Sequence, residues 1–351
     1  MNFKSIVDQF QAKGQVKKIA SFGGGHINRT YRVYNEDPQC PDYLLQQINH
    51  EVFTDVPSMM DNIQRVVAHL TGKDDNYKML ALIPLVEGGI YFRNPKGEYW
   101  RMFTFINSLT SFEVAKNTEQ IYEGAKAFGN FLHHLSDFPT DSLHLTIPDF
   151  HNVISRLNIF RKAVEQDSFK RAAKAAFEIQ YAWKLAEEMS AIQKAGKNGK
   201  IPLRVTHNDT KFNNVLLHCN GGGGVVIDLD TVMPGYVHFD FGDGIRTTAS
   251  VAREDEPDLS KIQVDIKRTA AFINGYLEGA GDILTPIEIQ YLPLSGALMA
   301  YIMGIRFLTD YLSGDVYYKI SFEEQNFQRA KAQLDLAKKL LERKADIEKL
   351  L

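Results

Sequence analysis

Two short stretches carry the residues best suited to chemistry. His207-Asn208-Asp209-Thr210-Lys211-Phe212-Asn213-Asn214 places an aspartate five positions before an asparagine, and Val225-Val226-Ile227-Asp228-Leu229-Asp230 follows as an apolar run ending in acids. An aspartate in a tight loop, a nearby asparagine and a carboxylate at a strand end form a set suited to phosphoryl transfer. Asp209 is the proton acceptor for an attacking hydroxyl, since a carboxylate is already ionised at neutral pH. Asn214 and Asp228 supply oxygens for a magnesium ion that screens the phosphates of ATP. Asp230 lies two residues beyond Asp228, and alternation along an extended segment puts both on one side, where Asp230 assists a second metal or faces solvent. His207 reads as a histidine that hydrogen-bonds the loop backbone. Singly, each residue has a bland reading as a turn cap, loop filler or strand end; the conjunction is what points to catalysis.

A second candidate lies nearer the N-terminus. Gly23-Gly24-Gly25-His26-Ile27-Asn28-Arg29 precedes the strand-like Thr30-Tyr31-Arg32-Val33-Tyr34. Glycines let backbone N–H groups approach a triphosphate closely, although an ordinary hairpin uses them too. His26, Asn28 and Arg29 are candidates for contacts to phosphate or sugar. The other glycine run, Gly221 to Gly224, reads as a hairpin turn, because no Lys-Ser/Thr pair follows it.

The HNDTKFNN and IDLDTVMPG segments resemble the aminoglycoside phosphotransferase and choline kinase superfamily. Within it, Gly24-Gly25-His26-Ile27-Asn28, Phe239-Asp240-Phe241-Gly242-Asp243 and Arg306-Phe307-Leu308-Thr309-Asp310-Tyr311 resemble the N-acetylhexosamine 1-kinases. The resemblance runs from about Phe22 to about Tyr318. It implies a protein-kinase-like α+β fold: a β-rich N-lobe over residues 1–107 and a mostly helical C-lobe over 108–351. It further implies ATP with Mg2+, transfer to the anomeric hydroxyl of N-acetylglucosamine or N-acetylgalactosamine, and a hinge near Phe105 to Ser108 where Phe105 and Asn107 meet the nucleotide. Asp240 is then a brace for the catalytic loop, Asp243 shares that role or faces the sugar, and Arg306 faces the sugar. The alternative for Arg306 and Asp310, one helical turn apart, is a surface ion pair. One departure stands out. Kinases place a lysine on the third strand and pair it with a glutamate on the next helix, but Tyr43-Leu44-Leu45-Gln46 offers Gln46, and the helix after it has Asp55 and Asp61 but no glutamate. Gln46 can donate hydrogen bonds to phosphate but cannot neutralise it. The neutralising residue is left unnamed, with an arginine elsewhere as the alternative.

The elements that must position these residues are legible from periodicity. Tyr43 to Ile48 reads as a strand, and Gly89 to Arg93 with Glu98 to Ile106 as a hairpin around Asn94-Pro95-Lys96-Gly97. Val56 to Leu70 reads as a helix with Met59, Ile63, Val66, Val67 and Leu70 on one face. Helical patterns then dominate: Ile121 to Leu135, two helices between Phe150 and Gly196, and others near Leu259 to Leu277, Ile287 to Tyr311 and Phe322 to Leu350. The 351 residues suit two lobes, and 44% hydrophobic content suits a sizeable core. A net charge of −3 gives no electrostatic argument for nucleic acid or an anionic membrane. The absence of a long uninterrupted apolar run or of a signal-like N-terminus, with only Cys40 and Cys219, sets the expectation of a cytoplasmic protein without zinc or disulfide chemistry. The expected partners are ATP and a small sugar, with oligomeric state open. Two other readings compete: a kinase for another acceptor (another sugar, an amino acid, choline or an aminoglycoside), and a nucleotide-binding scaffold without turnover, which the glutamine at position 46 alone favours.

Overall fold

A computed structural model describes residues 3–23, 27–73, 77–218 and 222–351. The N-terminal part is an antiparallel five-stranded sheet. After the short helix α1 (Phe3–Val7) come β1 (Val16–Ser21), β2 (Arg29–Asn35), β3 (Tyr43–Ile48), helix α2 (Val56–Lys73), β4 (Phe92–Arg93) and β5 (Tyr99–Thr104). Their order in the sheet is β1-β2-β3-β5-β4. The β4–β5 hairpin forms around the expected turn, with Asn94 Oδ1 accepting the Lys96 and Glu98 N–H groups. Alternation does the rest. Val33, Tyr43, Leu45, Trp100 and Met102 meet Ile6, Val7 and Phe10 in a core of their own on one face of the sheet. α2 begins where Asp55 accepts the Ser58 N–H, and buries Met59, Met60, Ile63, Val66 and Leu70 in the larger core.

The remaining chain is mostly helical: β6 (Leu109–Thr110), α3 (Thr118–His134), α4 (Val153–Gln166), α5 (Ala176–Met189), α6 (Ala191–Lys197), β7 (Arg204–Thr206), β8 (Val215–His218), β9 (Gly224–Val226), β10 (Met233–Gly235), α7 (Val237–Thr248), α8 (Ile266–Ala280), α9 (Pro286–Leu312), α10 (Gln325–Glu342) and α11 (Lys344–Glu348). This is the expected α+β, protein-kinase-like class. Three helices, not two, fill the 150–196 stretch, and the last expected helix breaks at Arg343 into α10 and α11.

Two packing features place the site. α9 opens with a capping box between Thr285 and Glu288 and with Pro286 in its first turn, which satisfies its N-terminal donors. By length and composition it is apolar enough to cross a membrane, but it runs through the core, with most of its apolar residues buried. α3 and α8 meet through glycines: a Cβ added at Gly129 would overlap the Tyr276 carbonyl oxygen, at Gly275 the Tyr122 carbonyl oxygen, and at Gly279 the Lys126 carbonyl oxygen. The two backbones therefore touch, and only glycine permits that approach.

Candidate active site

The catalytic loop runs from β7 to β8 and is held from several sides. His207 is fully buried, with the Phe128 and Phe131 rings of α3 edge-on to it. Its Nδ1 accepts the Asp209 backbone N–H at 3.3 Å, so the proton sits on Nε2, which donates to the Ile227 carbonyl at 2.8 Å. Burial lowers the His207 pKa, and the ring stays neutral. Asn208 adopts a left-handed conformation (φ 63°), which asparagine tolerates, and its amide donates to the Thr231 carbonyl at 3.0 Å. Asp240 lies within α7, and its two oxygens accept the His207 and Asn208 N–H groups at 2.8 and 2.7 Å. Asp240 thus braces the loop from within a helix.

Asp209 sits on this scaffold with 23% of its side chain exposed. Burial opposes its ionisation, but the Lys211 ammonium, 3.1 Å away, outweighs that and holds its pKa below the ordinary carboxylate value. Asp209 in turn raises the pKa of Lys211. The Asn214 amide nitrogen donates to Asp209 Oδ2 at 2.9 Å and to the Asp209 carbonyl at 2.8 Å, which turns the Asn214 carbonyl oxygen away from the aspartate.

Asp228 follows β9 in a left-handed conformation (φ 62°), and Leu229–Thr231 form a 3-10 turn. The segment is therefore not extended, and strand alternation does not place Asp230. Burial, then the neighbouring Asp230 and Asp209 carboxylates, push the Asp228 pKa up to about 7. Asp230 is almost fully buried, and both its oxygens are engaged: Oδ1 accepts from Arg101 Nη1 at 2.5 Å and Oδ2 from Asn28 Nδ2 at 2.7 Å. Among the described residues, no group of three His, Cys, Asp or Glu side chains stands ready to hold a metal unaided. The Asn214 carbonyl and the Asp228 carboxylate are hard oxygen donors in a spot with surplus negative charge. That fits magnesium, which takes few protein ligands and completes its shell with phosphate and water.

The profile of the APH phosphotransferase enzyme family matches residues 18–281. The chain belongs to that family. Among solved structures, this family member is similar to the spectinomycin phosphotransferase APH(9)-Ia in complex with ADP and spectinomycin (12% identity, 96% of this chain and 97% of that one, TM-score 0.63). It is also similar to the amicoumacin kinase hAmiN in complex with AMP-PNP, Ca2+ and Ami (12%, 96% and 92%, 0.60), and to choline kinase from Cryptosporidium parvum (16%, 93% and 90%, 0.57). At these identities the likeness is one of fold.

In this phosphotransferase the remaining candidates fall into three groups. Near the N-terminus, Gly23 adopts a left-handed conformation just past β1, Asn28 binds Asp230, and Arg29 is exposed at the start of β2 without an ion-pair partner among the described residues. Gly24, Gly25 and His26 lie outside the described residues. Gln46 donates to Thr30 Oγ1 at 3.1 Å and accepts from Arg101 Nε at 2.9 Å. Beyond β5, the Arg32 guanidinium lies 3.9 Å over the Phe105 ring and donates to Asn107 Oδ1 at 2.6 Å. Among the helices, Asp243 is buried against Arg246 at 2.7 Å. Arg306 lines a cavity of about 210 Å³ with Arg156, Ile159, Thr309, Tyr317 and Tyr318. Its guanidinium lies over the Phe150, Tyr317 and Tyr318 rings at 5.1, 6.0 and 5.6 Å. No ion pair joins Arg306 to Asp310. Asp310 instead accepts the backbone N–H groups of Val316, Tyr317 and Tyr318 at 3.0, 2.9 and 2.9 Å, and so folds residues 316–318 into a strap over the cavity.

Three residues went unmarked in the sequence. Lys211 stood inside the quoted motif, and its spacing from Asp209 was the available signal. Arg101 required the β3–β5 register, and Arg156 required the packing of α4 on α9.

Proposed function

We propose that the chain transfers the γ-phosphoryl group of ATP to the anomeric hydroxyl of an N-acetylhexosamine, giving the sugar 1-phosphate and ADP. The observation that carries this reading is the charge of the cavity beside the catalytic loop. Arg156 and Arg306 line it, and among the described residues the one carboxylate on its wall, Asp310, has its oxygens committed to the backbone of the strap. Choline and aminoglycosides are cations and gain nothing from such a wall. A neutral sugar gains guanidinium donors for its hydroxyl and carbonyl oxygens, and tyrosine rings for its apolar faces. The cavity adjoins the catalytic loop: Arg306 lies over Phe150, and His151, tilted against Phe150 with ring centroids 4.3 Å apart, lies 2.8 Å from the Asn208 carbonyl.

In this reading Asp209 aligns the anomeric hydroxyl and takes its proton as the oxygen bonds to phosphorus and the bond to ADP breaks. Lys211 keeps Asp209 ionised and in place, and stands next to the oxygens on which charge gathers. Asn214 and Asp228 would hold magnesium, which supplies charge neutralisation at the β- and γ-phosphates. The AMP-PNP and Ca2+ bound in the amicoumacin kinase structure are in keeping with a nucleotide–metal site in this fold.

The test is ADP release with ATP and magnesium across N-acetylglucosamine, N-acetylgalactosamine, glucose, galactose, choline and kanamycin, each against a blank without acceptor. Turnover confined to the N-acetylhexosamines, and abolished by methylation of the anomeric oxygen, is expected. Turnover with choline or kanamycin in preference to sugars would overturn the assignment of acceptor. ATP binding without turnover on any acceptor would favour the scaffold reading.

A further inference from the structure

The described structure contains a buried cation that the catalytic scheme has not used. Arg101 and Asp230 form an ion pair at 2.5 Å with side chains only 2% and 3% exposed. As a device for stability this is a poor choice, because the desolvation of two charges cancels much of their attraction. Its location is informative. The β3–β5 register sets Arg101 directly opposite Gln46, and the β2–β3 register sets Gln46 opposite Thr30. Directly opposed residues share one face of a sheet. Gln46 thus uses its carbonyl to hold Arg101 Nε and its amide to hold Thr30 Oγ1. Nη1 of Arg101 is taken by Asp230, and among the described residues Nη2 has no hydrogen-bond partner.

The same point ties together the two walls of the nucleotide cleft. Asp230 stands two residues past Asp228, and its second oxygen holds Asn28, which follows the glycine run in the sequence and also accepts the Asn49 N–H at 3.0 Å. Asp228, the candidate metal ligand, is two residues from Asp230, so phosphates held through a metal at Asp228 come beside this ion pair. The acids just before and within α2 are occupied elsewhere: Asp55 with Ser58, and Asp61 with Arg65 and His144.

We propose that Arg101 is the residue that neutralises the nucleotide triphosphate. The charge missing from β3 is delivered from β5, aimed by Gln46 through Nε and steadied by Asp230 through Nη1, while Nη2 donates to a phosphate oxygen. Asp230 is then the counter-ion of this cation and no second-metal ligand. The proposal rests on the phosphoryl-transfer part of the functional reading and is independent of the acceptor.

Calorimetric binding of ATP, ADP and adenosine, without acceptor, to the whole protein tests it. Arg101→Met should weaken ATP and ADP by roughly 10- to 100-fold, the worth of a charge-assisted hydrogen bond, and leave adenosine unchanged. Because Arg101→Met leaves Asp230 buried without its cation, the double variant Arg101→Met/Asp230→Asn is measured alongside, and the same selective loss is expected of it. Wild-type ATP affinity in the double variant would overturn the proposal. So would an equal loss for ATP and adenosine in it, since a merely structural contact does not distinguish nucleotides by their phosphates. Neither result depends on finding the correct sugar.

Discussion

Asp209 shows how one carboxylate is prepared for its task. Burial opposes its ionisation, yet Lys211 at 3.1 Å and the Asn214 amide favour the ionised form, while His207 fixes the backbone beneath it. Exchanging one oxygen for an amide keeps the shape and removes the basicity. Asp209→Asn should lower kcat by about 100-fold or more with nucleotide affinity largely kept, read by steady-state kinetics beside ATP binding. Unchanged turnover would remove Asp209 from the mechanism. At this scale the sequence was most legible where the chemistry is local. Asp209, Asn214 and Asp228 stand out because a few residues of spacing bring them into one loop and one strand end. Arg101 was illegible because it is one polar position among several in a strand, and only the pairing of β3 with β5 sets it beside Gln46. Asp230 was misplaced because the left-handed backbone of Asp228 breaks the two-residue period on which the inference relied.

Among the elements, two features lend themselves to measurement. The 316–318 strap hangs on Asp310, which receives its three N–H groups and, at 2.9 Å, the Asn326 amide. Asp310→Asn sets an N–H group against those donors. It should raise KM for the acceptor by about tenfold while KM for ATP stays unchanged; a matching rise in both would mean that the strap is not a wall of the acceptor site. Glycine-to-alanine substitution should have opposite signs at two places, one in α2 and one at the crossing of α3 and α8. At Gly72, near the end of α2, an added Cβ meets nothing, so alanine should stabilise by about 0.5–1 kcal/mol through helix propensity. At Gly279 the added carbon meets the backbone of α3, which cannot swing aside as a flexible side chain would. There the overlap outweighs the same propensity gain, and Gly279→Ala should destabilise by about 1–3 kcal/mol in urea unfolding. The helices themselves were readable from apolar spacing, as α2, α3 and α9 show. Their ends and interruptions were less so, since the break at Arg343 and the short α1 depend on tertiary packing.

For the molecule as a whole, the buried histidines make stability a function of pH. His238, within α7, lies with Nε2 3.0 Å from the Glu288 carbonyl, and burial lowers its pKa to about 4. In the unfolded chain it titrates near 6.5. The folded state therefore takes up its proton later than the unfolded one. The stability this histidine contributes is present above pH 6.5 and is lost as the pH falls toward 4. At pH 5 the loss amounts to about 2 kcal/mol. Buried Asp228 and Asp240, both raised to about 7, act in the opposite sense, so the effect is isolated by difference. His238→Gln keeps a donor for the Glu288 carbonyl and removes the titration. The gap in unfolding free energy between the wild type and this variant should shift by about 2 kcal/mol in favour of the variant between pH 7 and pH 5. A constant gap would mean that His238 titrates alike in the folded and unfolded chains.

The contact between α3 and α8 also bears on the order in which the chain can acquire its function. α3 supplies the rings around His207, and α8 backs both α3 and α7, the helix that carries Asp240. The catalytic loop lies between these two helices in the sequence, so during synthesis it leaves the ribosome before α8 exists. Such long-range closure is slow compared with local helix formation, and apolar segments stay uncovered while it is pending. A ribosome that pauses short of residue 280 holds a chain whose Asp209, Asn214 and Asp228 are already made but are not yet fixed in place.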